Sequence, residues 1–270
     1  MIDVDKEWQL LEKCENHSHT GIPAKQRFLE LLKVIKKIPK PDKILDVGGT
    51  LGTARWLKVK FPKAKVTILN KSKKEISAYP FFLKGDAESF QSQEKYDLIF
   101  AGEIIEHTYN PEGLIASCLL ALKRGGYLVI TTPNLACLYN RVFLLFGWTP
   151  GNYSPSLRFL TGNPFFPKRG SFGTIGDHKS VFTWKGLAEL LKIYGFEIKG
   201  CWGYSYGQTR RLKALGGQYL RLPSGQVRLF LNKIIPHKMR EGMLFVCRTP
   251  SHINKKVIAK GILKKSLWEF

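Results

Sequence analysis

The chain has 270 residues, 44% hydrophobic and 24% charged. That is an ordinary globular composition, which excludes disordered, fibrous and collagen-like architectures and leaves room for one large core or two small ones. Charge is the abnormal quantity: 43 Lys and Arg against 21 Asp and Glu give a formal net of +22, and residues 135–270 hold 22 basic but only 5 acidic residues, a one-sided field that suits polyanions or anionic membrane surfaces as partners.

In chain order, residues 5–15 and 23–38 read as two helices ahead of the first strand. From Lys43 to Thr132 short apolar runs alternate with helical stretches: KILDV (43–47), KVTIL (65–69), YDLIF (96–100) and GYLVIT (126–131), with helices expected over 52–60, 72–79 and 111–123. Several runs are continuous apolar blocks, as strands covered on both faces of a parallel sheet must be. The third helix opens at Asn110-Pro111 and closes at Gly125-Gly126, a start signal followed by a stop. Strand and helix in repetition predict an α/β doubly wound sheet.

The pattern breaks over 147–176, where six glycines and four prolines are interleaved with aromatic residues. A loop of that length is a lid, a binding loop or a linker, and its aromatic content favours a lid over the substrate, set at 146–178. Then a helix (183–194), a strand (196–202), a basic helical region (209–235, within an insertion set at 205–240) and a last strand (242–249) are expected. Residues 251–270 form a basic amphipathic tail. The expected organisation is N-terminal helices over 1–40, one catalytic domain over 41–250, and the tail.

Cys14, Cys118, Cys137, Cys201 and Cys247 contain no C-x-x-C pair, which argues against a disulfide framework or a zinc knuckle. The N-terminal residues do not read as a signal peptide, and the apolar run 142–148 is far short of the ~20 residues that span a bilayer, so a cytoplasmic protein is expected.

The strongest local signal is ILDVGGTLGTA (44–54), a buried strand ending in Asp46, then Gly48, Gly49 and Gly52, then a helix. Only residues without Cβ let backbone amides approach a ligand closely, and a helix N-terminus adds oriented N–H groups, so a nucleotide-like cofactor is expected. The dinucleotide motif G-x-G-x-x-G would need glycine at Thr50, which disfavours NAD. On a helix, Glu103, Glu106 and His107 of EIIEH fall at i, i+3 and i+4 on one face, a set suited to a divalent metal or to general-base work on a hydroxyl. His17, His19, His237 and His252 show no partner spacing.

The ordered set ILDVGGTLG, GDAESF (85–90), YDLIFAGEIIEH (96–107) and LKRGGYLVITTPN (122–134) resembles the class I S-adenosylmethionine (SAM)-dependent methyltransferases, and more specifically the broad methyltransferase-domain group that includes the ubiquinone-biosynthesis O-methyltransferases. The resemblance runs from about Lys43 to Thr249. It implies a Rossmann-like, mostly parallel seven-stranded sheet with an antiparallel last strand. It also implies that Asp46, Gly48, Gly49 and Gly52 hold the methionine and ribose portion of SAM, that Asp86 with Ala87 receives the adenine, and that Ala101, Gly102 and Glu103 line the methyl. Asn70 stands where the family usually has an acidic residue on the ribose, and Thr50 where it usually has glycine. Related enzymes bind metal through a cluster like Glu103, Glu106 and His107 plus a later histidine, here His178.

The acceptor is left open. An O-methyltransferase of a small-molecule or lipid-linked acceptor, touching anionic membrane through its C-terminal segments, is the first expectation. An RNA methyltransferase and a non-catalytic scaffold with the same fold are the alternatives.

Overall fold

The computed structural model describes residues 22–35, 37–71, 79–154, 161–164, 178–205, 211–213, 219–221 and 234–250, together with single positions at 9, 156, 159 and 258. Its helices are α1 (Ile22–Ile35), α2 (Leu51–Lys60), α3 (Pro111–Ala121), α4 (Leu138–Leu145) and α5 (Trp184–Ile193). Its strands are β1 (Lys43–Val47), β2 (Lys65–Asn70), β3 (Phe82–Lys84), β4 (Tyr96–Gly102), β5 (Leu122–Pro133), β6 (Glu197–Tyr204), β7 (Arg211–Lys213), β8 (Tyr219–Arg221) and β9 (Gly242–Arg248).

Seven strands form one sheet in the order β3-β2-β1-β4-β5-β9-β6. The first five are parallel, and β9 runs antiparallel between β5 and β6. This is the doubly wound sheet expected from the sequence, with the chain reversing its direction of winding at β1. The crevice between the carboxyl ends of β1 and β4 is therefore the topological switch point, where open α/β sheets hold their ligands.

Period-two alternation divides the strand side chains between two apolar layers. Leu45 and Val47 of β1, with Met243, Phe245 and Cys247 of β9, pack with Leu114, Ile115 and Leu119 of α3 and Leu187 and Leu191 of α5. On the opposite face Ile44, Leu244 and Val246 pack with Leu31, Leu32 and Ile35 of α1 and with Trp56 and Leu57 of α2. Asp46 belongs by register to this second face, under α1 and α2, and is only 1% exposed.

Helix boundaries follow local chemistry. Thr50 caps α2: its hydroxyl accepts from the Thr53 N–H while the Thr53 hydroxyl accepts from the Thr50 N–H, a reciprocal capping box. The residue that departs from the family's usual glycine thus has a structural task. Asn110 caps α3 by accepting from the Gly113 N–H, with Pro111 in the first turn. Thr183 caps α5 in the same way through the Gly186 N–H.

One expectation changes here. The basic helical region over 209–235 is interrupted, since β7 and β8 pair as an antiparallel ribbon, Arg211 opposite Arg221 and Lys213 opposite Tyr219, while Ile234 is helical. Gly216-Gly217, between them in sequence, is a hairpin signal that a helical reading overlooks. The apolar run at 142–148 belongs largely to a helix, α4, and the short strand β3 precedes GDAESF. The helices expected over 5–15 and 72–79 lie almost entirely outside the described residues, as do most of the lid and tail. Ile258, the one described residue of the tail, is helical and buried against the first apolar layer. No helix among the described residues is long and apolar enough to cross a membrane.

Candidate functional site

Parallel register brings four separated segments to one edge of the sheet. Val47 pairs with Leu69 and Ala101, and Asn70 pairs with Lys84. The loop after β1, the end of β2, the residues after β3 and the end of β4 are therefore level with one another. Asp46, Gly48, Gly49, Asn70, Asp86, Ala87, Ala101 and Gly102 all lie on that carboxyl edge, and Gly52 sits buried in the first turn of α2.

The loop after β1 needs its glycines. Gly48 has φ +69°, a left-handed conformation that favours glycine, and a Cβ there would lie 2.8 Å from Ile104 Cδ1. Its N–H donates to Leu69 O at 2.8 Å, tying the loop to β2. A Cβ on Gly49 would stand 2.2 Å from Asp46 Oδ2, so the loop is drawn tightly over the carboxyl. The Asn70 amide donates to Gly49 O at 3.3 Å from the other side.

Asp46 receives a 2.6 Å hydrogen bond from the Thr53 hydroxyl. Burial nevertheless pushes its carboxyl up to about 7, against the opposing pull of Thr53 and Arg27. Asp86, at the next strand end, is more open: Oδ1 accepts from the Glu88 N–H at 3.0 Å and Oδ2 pairs with Lys71 at 3.0 Å. Glu88 in turn accepts from the N–H groups of Tyr109 and Asn110, both at 3.0 Å. The loop carrying Asp86 is thus fastened to the cap of α3. Ala87 packs against the first apolar layer.

The segment EIIEH does not form the expected helix. Glu103 has φ +53°, and only Ile105–His107 make a single 3-10 turn, because β4 runs directly into a tight reversal. Glu103 falls outside the Glu106–His107–His178 group, though its charge lies near enough to act on Glu106. Its carboxylate accepts from the Tyr204 hydroxyl at 2.6 Å and faces Arg27 at 3.7 Å. A non-glycine residue held at positive φ by its surroundings is the kind of strain that collects at functional sites.

Glu106, His107 and His178 do come together. Glu106 is 1% exposed, with Oε2 accepting from the Thr132 hydroxyl at 2.9 Å and Oε1 3.9 Å from His107 Nε2. Burial, reinforced by the nearby Glu103 charge, raises its carboxyl well above the ordinary range. The rings of His107 and His178 meet edge to face at 5.0 Å. His178 reaches them because the Lys179 and Ser180 N–H groups donate to Glu106 O. Its Nδ1 lies 2.7 Å from Asn152 O. A carbonyl can only accept, so Nδ1 carries the proton, and in the neutral ring Nε2 presents a lone pair. One ligand atom from each of Glu106, His107 and His178 lies within 4.8 Å of the others.

Several supporting residues lie outside the motifs in sequence: Arg27 on α1, Tyr204 at the end of β6, and the Asn140–Asn152 pair behind His178, joined at 2.7 Å; Thr53 lies within the glycine motif but was not singled out. Asparagine within the punctuated loop was the one available signal for the last pair. Thr131 Oγ1, buried at the end of β5, has no hydrogen-bond partner among the described residues.

A model of the methyltransferase domain matches residues 23–199, well over half of the chain. The chain belongs to this methyltransferase-domain family. Solved structures agree in fold. A SAM-dependent methyltransferase from Thermotoga maritima superposes with TM-score 0.52 at 15% identity, covering 90% of this chain and 99% of that one. An S-adenosylmethionine-dependent methyltransferase from Clostridium acetobutylicum gives 0.51 at 13%, covering 92% and 99%. Another from Archaeoglobus fulgidus gives 0.50 at 16%, covering 90% and 99%. No curated protein matches the chain. Family and fold make this methyltransferase a class I, SAM-dependent enzyme.

Proposed function

We propose that this methyltransferase O-methylates a small-molecule or lipid-linked acceptor, with the cofactor held at the β1/β4 switch point and His107 as the base. The observation that carries the reading is the juxtaposition, at one sheet edge, of a glycine cradle and the Glu106–His107–His178 cluster. The cradle suits SAM: Gly48 and Gly49 let the loop backbone close over Ile104 and the Asp46 carboxyl, where a Cβ would collide, and the acceptor and donor atoms of Asp46, Asn70 and Asp86 follow one another along the strand ends.

When bound, SAM supplies a methyl group on a sulfonium centre, open to in-line attack. The loop amides and Asp46 would orient the methionine portion, Asn70 would bond the ribose, Asp86 and Ala87 would receive the adenine, and Ala101, Gly102 and Glu103 would line the methyl. Asn70 both donates and accepts, so it serves a ribose without the strength of a charged acceptor. His107, the more exposed imidazole, would take the proton of the acceptor hydroxyl and release it to solvent, while the methyl leaves the sulfonium sulfur for that oxygen and S-adenosylhomocysteine remains as the leaving group. Buried Glu106 and His178 hold that ring in place. The test is transfer of labelled methyl to a panel of phenols, prenylated phenols and lipid alcohols. His107→Gln lowers the rate by about 10²–10⁴-fold with S-adenosylhomocysteine (SAH) affinity unchanged. An undiminished rate in that variant, or no transfer to any hydroxyl acceptor, removes the reading.

The 4.8 Å grouping of a carboxylate and two imidazole nitrogens favours a second reading of the same cluster. Glu106, His107 and His178 fit a divalent cation, since Nδ1–H of His178 is spent on a carbonyl and Nε2 is left as the ligand, the usual arrangement behind a metal. A cation there would polarise the acceptor oxygen. Glu103 is not part of this set.

A further inference from the structure

The outer face of α4 is dressed for an apolar medium. Leu138, Val142 and Leu145 stand at i, i+4 and i+7, one side of a helix, and Phe146 continues the stripe. Leu145 is 84% exposed, Phe146 64% and Leu144 57%, with Leu138 and Val142 also exposed. Phe146 stacks on Trp148 at 5.1 Å. Single exposed apolar residues are normal on a protein surface, but Leu138, Val142, Leu145 and Phe146 on one side form a patch that marks an interaction site, with Leu144 exposed off that stripe.

The opposite side of α4 carries half-buried Phe143 and buried Asn140, which reaches the support of His178. Buried Asn140 donates to Asn152 Oδ1 at 2.7 Å and accepts from the Gly151 N–H at 2.7 Å, and Asn152 O holds His178. The helix thus has one side on the His178 support and the other facing outward.

Charge selects the occupant. The chain carries a formal net charge of +22, no acidic residue stands between Glu112 and Asp177 in sequence, and Arg141 is exposed on the helix itself, with Glu241 the acidic group that acts on the Cys137 cap. Apolar residues, an aromatic pair and an exposed arginine on a strongly basic chain together describe a helix lying in the interface of an anionic bilayer. A second copy would bring two chains of net charge +22 together.

We infer that the outer face of α4 docks on an anionic lipid bilayer, so that the acceptor is an amphiphile drawn from that surface to His107. The docking stands on the patch and the charge; the acceptor class rests in addition on the methyl-transfer reading above. The test is co-sedimentation of the full chain with phosphatidylcholine vesicles with and without about a third phosphatidylglycerol, for the wild type and for Leu145→Asp/Phe146→Asp. SAH calorimetry on both proteins reports the cofactor site separately. The wild type partitions onto anionic vesicles, and the double variant does so at least tenfold more weakly while binding SAH unchanged. Equal partition of the two proteins assigns binding to the remaining basic field and overturns the docking role of α4. Failure of the wild type to partition overturns it also, as does a wild-type dimer that the double variant dissolves. Loss of SAH binding in both proteins with partition intact strikes the methyl-transfer reading and leaves the docking standing.

Discussion

Replacing Asp46 by Asn tests whether the carboxyl beneath the glycine loop is held protonated by burial. Its carboxyl is raised from 3.8 to about 7 in the folded chain. Between those values the folded chain keeps a proton that the unfolded chain has released. Linkage then fixes the sign: this group's contribution is most favourable below the unfolded value, declines as pH rises toward the folded value, and is constant above it. At 1.36 kcal/mol per unit, the roughly two units between about pH 5 and the folded value correspond to about 3 kcal/mol. The side-chain amide of the Asp46→Asn variant has no such titration and still offers Thr53 an acceptor. Denaturant unfolding of both proteins at about pH 5 and about pH 8 should therefore show the variant gaining about 3 kcal/mol on the wild type across that range. Glu106, shifted in the same direction, titrates in both proteins and drops out of the difference. Parallel stability profiles, or a variant that loses ground as pH rises, would refute the reasoning.

Tyr204→Phe removes the 2.6 Å donor to Glu103 from a buried position and should cost about 1–2 kcal/mol in unfolding free energy, with acceptor KM rising more than SAH affinity falls; an unchanged melting temperature would deny Glu103 its anchor. Glu88→Ala strips a partner from two backbone N–H groups at the cap of α3 and should cost a similar amount, read by denaturant titration, with no effect on the vesicle partition. If the cluster behind His107 binds a cation, added Mn²⁺ should raise the melting temperature of EDTA-treated wild type and leave that of His178→Ala unmoved; no response in the wild type removes the metal reading.

The sheet was legible because its strands are apolar on both faces, and a continuous run such as KILDV or KVTIL allows little else. Asn110-Pro111 and Thr183 announced their helices by capping chemistry that is purely local. The glycine loop was legible for the same reason, since the need for φ +69° at Gly48 is a property of one residue. EIIEH was misread because its spacing is compatible with a helix, whereas the exit from β4 forces Glu103 to positive φ and leaves room for one 3-10 turn. The partners of Glu103 are set by tertiary structure: Arg27 and Tyr204 are 76 and 101 residues away in sequence, and no local pattern encodes the contact. His178 was visible as a residue, but its placement depends on backbone hydrogen bonds from Lys179 and Ser180 to Glu106. The amphipathic character of α4 was hidden because the stripe faces outward, where a hydrophobic run invites being read as core.

The central claim is that the loop from Asp46 to Gly49 holds the cofactor at the β1/β4 switch point. Titration calorimetry with SAH tests it most directly, on the wild type and on Gly49→Ala, whose added Cβ would collide with the Asp46 carboxyl at 2.2 Å. The account predicts saturable binding of one SAH per wild-type chain, competed by SAM, and affinity at least tenfold weaker, about 1.4 kcal/mol or more, in a variant that retains its circular dichroism spectrum. Absence of binding to the wild type, or equal affinity in the folded variant, would contradict it.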